Sequence, residues 1–211
     1  MLMAQAQNPL TGQMSGTVAN FVTSTHGTKN VIRSKAFNPR NANTAAQQLQ
    51  RACFSLVVDE YQSWGGITDL GFPEYSEGQS AYNLFMAANL PGAIDKSGAE
   101  PIIDYSLLQV SAGSLPIVVV GNVTVGAAGI SISYQTNVRI PKINATDEVV
   151  AIAKTNIGEI LMDTKARGAE TTGTILIDYP GIKAADVKCC YLFVRSADGS
   201  KASRSVHIPI N

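Results

Sequence analysis

The sequence predicts an α+β N-terminal part followed by an all-β sandwich. Three observations carry this expectation. Apolar residues recur at helical steps only in the first half, over residues 44–64 and 80–89. From about Leu115 that period vanishes, and short β-like runs return every ten to fifteen residues. Turn-forming pieces such as Asn156-Ile157-Gly158, Tyr179-Pro180-Gly181 and Asp198-Gly199-Ser200 separate those runs.

Residues 1–14 are rich in Gln, Asn, Met and Ala without a clear period, and read as a flexible arm. Two β-like runs follow, Gly16 to Thr23 and Thr28 to Lys35, with Ser24-Thr25-His26-Gly27 as the expected hairpin turn. Thr44 to Trp64 is the clearest helix. Thr44 and Gln47 form a capping-box pattern, and Gly65-Gly66 supplies the stop. Ala46, Leu49, Cys53, Leu56, Val57, Glu60 and Trp64 make its inward stripe. Residues 71–78 read as loop. Ser80 to about Asn89 is a second helix, with Tyr82, Phe85 and Met86 on one face and Pro91-Gly92 after it. Ile103 to Ser111 reads as a strand.

The second half offers seven strand candidates: Pro116–Val125, Gly129–Thr136, Glu148–Lys154, Glu159–Asp163, Gly173–Asp178, Lys188–Arg195 and Ser203–Ile208. Seven short strands in one such stretch fit an immunoglobulin-like sandwich. Lys188–Arg195 is apolar on both faces, as a covered central strand is. No Cys-Trp-Cys pattern is present, so this is not an antibody-type domain. The expected division is arm 1–14, α+β domain 15–114 and sandwich 115–211.

Composition narrows the function classes. Charged residues are 15% of the chain, below the usual quarter, which suits equally a surface partly hidden against partners and a β-rich domain with many Ser, Thr and Gly. Sixteen basic residues balance sixteen acidic ones, so no strong field for nucleic acid is expected. Lys29, Arg33, Lys35 and Arg40 cluster, and read as a solvated face rather than a phosphate strip. Cys53, Cys189 and Cys190 follow no disulfide spacing and read as reduced thiols made in a reducing cytoplasm. No charged-then-apolar leader and no run of about 18 apolar residues is seen, so neither a signal peptide nor a membrane span is expected.

The chemistry-bearing residues give no constellation. His26 and His207 lack partner motifs, and a metal site from them with the cysteines has no support. Walker, Gly-X-Gly-X-X-Gly, His-Glu-X-X-His and Gly-X-Ser-X-Gly patterns are missing. Asp59-Glu60 read as a solvated helix pair and Asp147-Glu148 as a strand entry. A central-strand position argues against Cys189 as a nucleophile. Interleaved aromatic and basic residues are too sparse for a single-strand stacking platform. No catalytic, cofactor-binding or metal-ligating residue is therefore assigned, no cofactor is expected, and the chain reads as a non-enzyme.

Several stretches form a longer pattern. They are Gly16-Thr17-Val18-Ala19-Asn20, His26-Gly27, Val31-Ile32-Arg33-Ser34, and Thr44 to Phe54 with its Ala46-Gln47 and Gln50-Arg51 pairs. Tyr82-Asn83, Ile103-Asp104-Tyr105-Ser106 and Tyr191-Leu192 through Ser196-Ala197-Asp198-Gly199 complete it. With these the chain resembles an uncharacterised family, a domain of unknown function found in Bacteroidetes and their phages. His26 departs from the pattern, where the family carries Lys before Gly27. The resemblance implies an α+β part, an immunoglobulin-like part and a phage context, with no catalytic residues to carry over. Arg33 and Arg51 are expected as buried structural anchors.

The expected role is thus a phage virion structural or assembly protein of tail, connector or capsid, made in the host cytoplasm and located in the virion. Its expected partners are other virion proteins and copies of itself, through the arm and hairpin. No membrane, specific nucleic acid or small-molecule substrate is expected. The alternative is a host-surface or carbohydrate-binding module using sandwich-end loops. Tyr75, Tyr179 and Trp64 are its aromatic candidates, all three expected to be packed.

Overall fold

The computed structural model of the protein describes residues 3–6, 14–26, 29–38, 41–98, 100–136 and 144–210. In chain order the elements are β1 (Met3–Ala6), β2 (Gly16–Val18), β3 (Phe21–His26), β4 (Lys29–Ser34), α1 (Ala45–Trp64), α2 (Ile67–Gly71), α3 (Ala81–Asn89), β5 (Ile94–Asp95) and β6 (Ile102–Ile103). Then follow β7 (Val119–Gly126), β8 (Gly129–Gln135), β9 (Glu148–Thr155), β10 (Ile160–Ala166), β11 (Thr172–Asp178), β12 (Val187–Arg195) and β13 (Val206–Ile208). Chain contacts define two compact units: Met1–Ala45 with Ser76–Gly78, and Ala46–Tyr75 with Gln79–Asn211.

The first unit is an antiparallel sheet in the order β1-β4-β3-β2. Gly16–Thr23 is not one strand. Val18 pairs with Phe21 across a two-residue turn, and Ala19 takes φ 49° there, a conformation that ends extended structure. Ser24, Thr25 and His26, expected as turn, continue β3 and pair with β4. Gly27 lies outside the described residues, as does most of the expected arm. Met3–Ala6 of that arm forms β1.

The second unit holds the helices and all seven expected β runs. Helix α1 ends where Gly65 takes φ 55°, a value glycine adopts at little cost. Helix α2 was missed by sequence because five residues show too little period. Gly71 closes it where space allows no side chain, since a Cβ there would run into the Val110 carbonyl. The expected strand 103–111 shrinks to the two-residue β6, paired with β5. Asp104 ends it: its Oδ1 accepts from the Ser106 N–H at 2.9 Å and the Ser106 hydroxyl at 2.6 Å, making a turn.

Two antiparallel sheets follow, in the orders β11-β8-β7 and β10-β9-β12-β13. They share one core. Ile130, Ile132 and Tyr134 of β8 and Ile175 and Ile177 of β11 meet Val149, Ala151 and Ala153 of β9 and Cys190, Leu192 and Val194 of β12. The alternate residues form a second core. Val150, Ile152, Cys189, Tyr191 and Phe193 meet Val57 and Trp64 of α1, Phe72, and Phe85 and Met86 of α3. Strands alternate faces with period two, so β9 and β12 are apolar on both because both are covered. This unit is therefore built as helices, a four-stranded sheet and a three-stranded sheet.

The boundary expected between 114 and 115 falls inside the second compact unit, where the helices and the four-stranded sheet share a core. Each fully buried large apolar side chain is worth about 1.5–3 kcal/mol. Separating helices from sheet would expose both Tyr191 and Phe193, each fully buried here.

Candidate functional site

The strongest polar cluster of the second unit lies between α1 and β9. Glu60 Oε1 accepts from Lys154 Nζ at 2.7 Å and from Trp64 Nε1 at 2.9 Å. Glu60 Oε2 accepts from the Tyr105 hydroxyl at 3.0 Å. Lys154 Nζ also donates to Ser63 Oγ at 2.7 Å and lies 4.9 Å from the centre of the Trp64 ring. The Tyr191 hydroxyl donates to the Tyr105 carbonyl at 2.7 Å. Helical spacing sets Glu60, Ser63 and Trp64 on adjoining positions of α1.

Sequence read Asp59-Glu60 as a solvated pair. Asp59 is exposed, but Glu60 is buried because its place on the apolar stripe points it at the sheet. Lys154 was missed. Its signal was a lone cation in the apolar run Val149–Ala153, where an unpaired charge is too costly to stand.

The polar atoms of the cluster bond one another. A serine nucleophile needs a base with a free lone pair. Lys154 instead donates to Ser63 and Glu60, and the Ser63 hydroxyl donates to the Glu60 carbonyl at 2.6 Å. Burial and the nearby Glu60 carboxylate raise the Tyr105 hydroxyl above its ordinary range. Burial likewise raises Tyr191. Both stay protonated as donors, so the network joins layers.

The thiols are no more reactive. Burial pushes Cys189 up from 9.0 to about 11, and Cys190 to about 12. Cys53 is buried too, and all three are free cysteines. Cys189 faces the helices and Cys190 the core shared by the two larger sheets, on opposite sides of β12.

His207 lies on β13 with its ring 5.5 Å from that of Tyr191, and burial lowers its pKa. His26 is exposed on β3. Among the described residues no three His, Cys, Asp or Glu side chains are placed to hold a metal ion.

The Ser196-Ala197-Asp198-Gly199 stretch turns the chain after β12. Asp198 Oδ1 accepts from Ser196 Oγ at 2.6 Å and the Ser200 N–H at 3.0 Å. Those donors hold its carboxyl at about 2. Gly199 sits at φ 71°. The signature is therefore turn chemistry.

Arg33 and Arg51 are exposed, so neither is the buried anchor expected of it. Arg40 lies outside the described residues. Trp64 is packed as expected, but Tyr75 and Tyr179 are exposed because both stand in loops. The Tyr179 hydroxyl meets Glu159 Oε2 at 3.1 Å.

The sheet of the first unit differs in kind. Among the described residues, none of this sheet belongs to either core cluster. Thr23 and Asn30 are its buried residues among those described, while Val18 is 64% and Phe21 55% exposed.

A model of a family of unknown function, DUF6266, matches residues 13–209. The chain belongs to that family. The match takes in β2 to β4 of the N-terminal sheet but not β1, together with the helices and the later strands, so it reaches into both compact units. No curated protein matches the chain, and no solved structure matches it.

Proposed function

We propose that this DUF6266 protein is a structural or assembly component of a phage virion, in the tail, connector or capsid-associated layer, working by protein–protein contact. One observation supports the assembly role: among the described residues the N-terminal sheet places none in either apolar core and leaves Val18 and Phe21 exposed, as is Phe37 after β4. A small sheet with no buried apolar face is marginal in water. Ordering each residue costs about 1–2 kcal/mol, which burial must offset. Another chain laid on the sheet supplies that burial. The phage context rests on the resemblance of the motif pattern.

We read the two larger sheets as an immunoglobulin-like sandwich. The split into β11-β8-β7 and β10-β9-β12-β13 supports it, since the chain changes sheet after β8, β10 and β11. Virion particles purified from the bacterium that carries the gene are the test. The tagged chain is expected in the particle fraction of a density gradient. Its confinement to the soluble fraction, with particles formed, contradicts a virion role.

A second reading is a host-surface or carbohydrate-binding module. Tyr179, exposed beside Glu159 in a loop of the second unit, favours it. Binding on a glycan array that Tyr179→Ala abolishes would select this reading.

A further inference from the structure

The charge of the chain is divided along its length. The first 58 residues hold five Lys or Arg and no Asp or Glu, a formal +5. The remainder holds eleven basic and sixteen acidic residues, a formal −5. Overall balance conceals a strongly uneven distribution along the sequence. In the first unit a single carboxylate, Glu77, enters through Ser76–Gly78.

The register of β3 and β4 concentrates this charge. Val22 lies opposite Arg33, Ser24 opposite Val31 and His26 opposite Lys29. Directly opposed residues share a face, so half-buried Val22 and Val31 lie among His26, Lys29 and Arg33. Lys29 and Arg33 are exposed and form no ion pair among the described residues. The other face holds the buried Thr23 and Asn30, whose Oδ1 accepts from the Met14 N–H at 3.1 Å. Among the described residues the cationic face holds none that is buried.

An acidic face with matching apolar content occurs in the second unit. The β9–β10 turn presents Ile157, 81% exposed. Tyr179 approaches this turn through Glu159, at 3.1 Å. The Asn156 N–H donates to the Asp186 carbonyl at 2.9 Å, bringing Asp186 alongside. Asp178 precedes Tyr179, and Lys183 is the cation of the same loop.

We propose that the Val22–Val31 face of one copy, with Lys29 and Arg33, docks on the Ile157–Tyr179 end of a second copy, against Glu159, Asp178 and Asp186. This rests on the assembly reading and names its partner as the chain itself. The two surfaces differ, so the contact is head-to-tail and generates a ring or a filament. Apolar residues at its centre with charges around them match the anatomy of protein interfaces. Half-buried Val22 and Val31 beside the cations favour a protein over a phosphate backbone, for which apolar contact supplies nothing.

Light scattering after size exclusion tests this on the full chain, at about 0.05 M and about 0.5 M salt, since added salt shortens the range of such attractions. The expected wild-type mass is a multiple of 22.3 kDa at low salt that falls at high salt. K29E/R33E and, separately, E159K/D178K/D186K are each expected at 22.3 kDa with an unchanged circular dichroism spectrum. Their mixture is expected to recover a larger mass, because each reversed face then meets its opposite. A wild-type monomer at all concentrations overturns self-docking, while leaving the particle-fraction test of the assembly role to stand separately. An oligomer that survives K29E/R33E overturns this face as the contact. Wild-type monomer that binds a labelled single-stranded oligonucleotide, with binding lost in K29E/R33E, reassigns the face to nucleic acid.

Discussion

Lys154 and Glu60 stand 94 residues apart in sequence and 2.7 Å apart in space, a buried pair that ties helix α1 to strand β9. Its geometry is satisfied on both sides. The carboxylate receives Lys154, Trp64 and Tyr105, and the amine also reaches Ser63.

Breaking that pair from one side leaves a buried charge alone. Lys154→Met is expected to destabilise the fold by about 3–5 kcal/mol, while replacing both as Glu60→Leu/Lys154→Met costs much less. Urea unfolding followed by Trp64 fluorescence measures both. Equal losses in the single and double variants would mean that the pair itself stabilises the fold.

This pair also marks how far the sequence could be read. Helix α1, the seven later strands and the double-sided apolar character of β12 all follow from periodicity, which is local. What covers the second side of β12 is not local information. The helices that do so were read as a separate domain, because nothing in Ala112–Leu115 shows that chain before and after shares a core. Glu60 sat in the apolar stripe and Lys154 in an apolar strand, but only together do they explain each other. The Ala19 turn was hidden because alanine rarely takes φ 49°.

The strands from β7 to β13 alone should not be a stable body. A fragment of residues 115–211 exposes Val150, Ile152, Tyr191 and Phe193, which the helices cover in the full chain. It is expected to aggregate or bind a hydrophobic dye. A soluble fragment with a cooperative melt and no dye binding would restore the boundary at 114/115.

Cys189 and Cys190 set an alkaline limit. Their folded pKa values, about 11 and about 12, lie above 9.0, so the unfolded chain loses these protons first as pH rises. Their contribution is fully present below pH 9.0 and is lost on rising through about 11 to 12. Raised Tyr105 and Tyr191 act in the same direction. Melting temperature is expected to fall above pH 9.0, less steeply in Cys189→Val/Cys190→Ala. An equal slope in that variant would assign the loss to other groups.

Gly199 holds φ 71° in the turn after β12. Gly199→Ala is expected to cost about 1–2 kcal/mol for a left-handed alanine. The Arg195 guanidinium that its Cβ would meet can swing aside. Unchanged stability in thermal melts would show that the turn adopts another conformation.

Amide hydrogen exchange across concentration tests the central claim, that the N-terminal sheet is completed by another chain. Amides of β9 and β12 are expected to be protected at every concentration, while those of β3 and β4 gain protection only as copies assemble or a partner is added. Strong protection of β3 and β4 in dilute monomer, equal to that of β12, would contradict the account, because the sheet would then be stable uncovered.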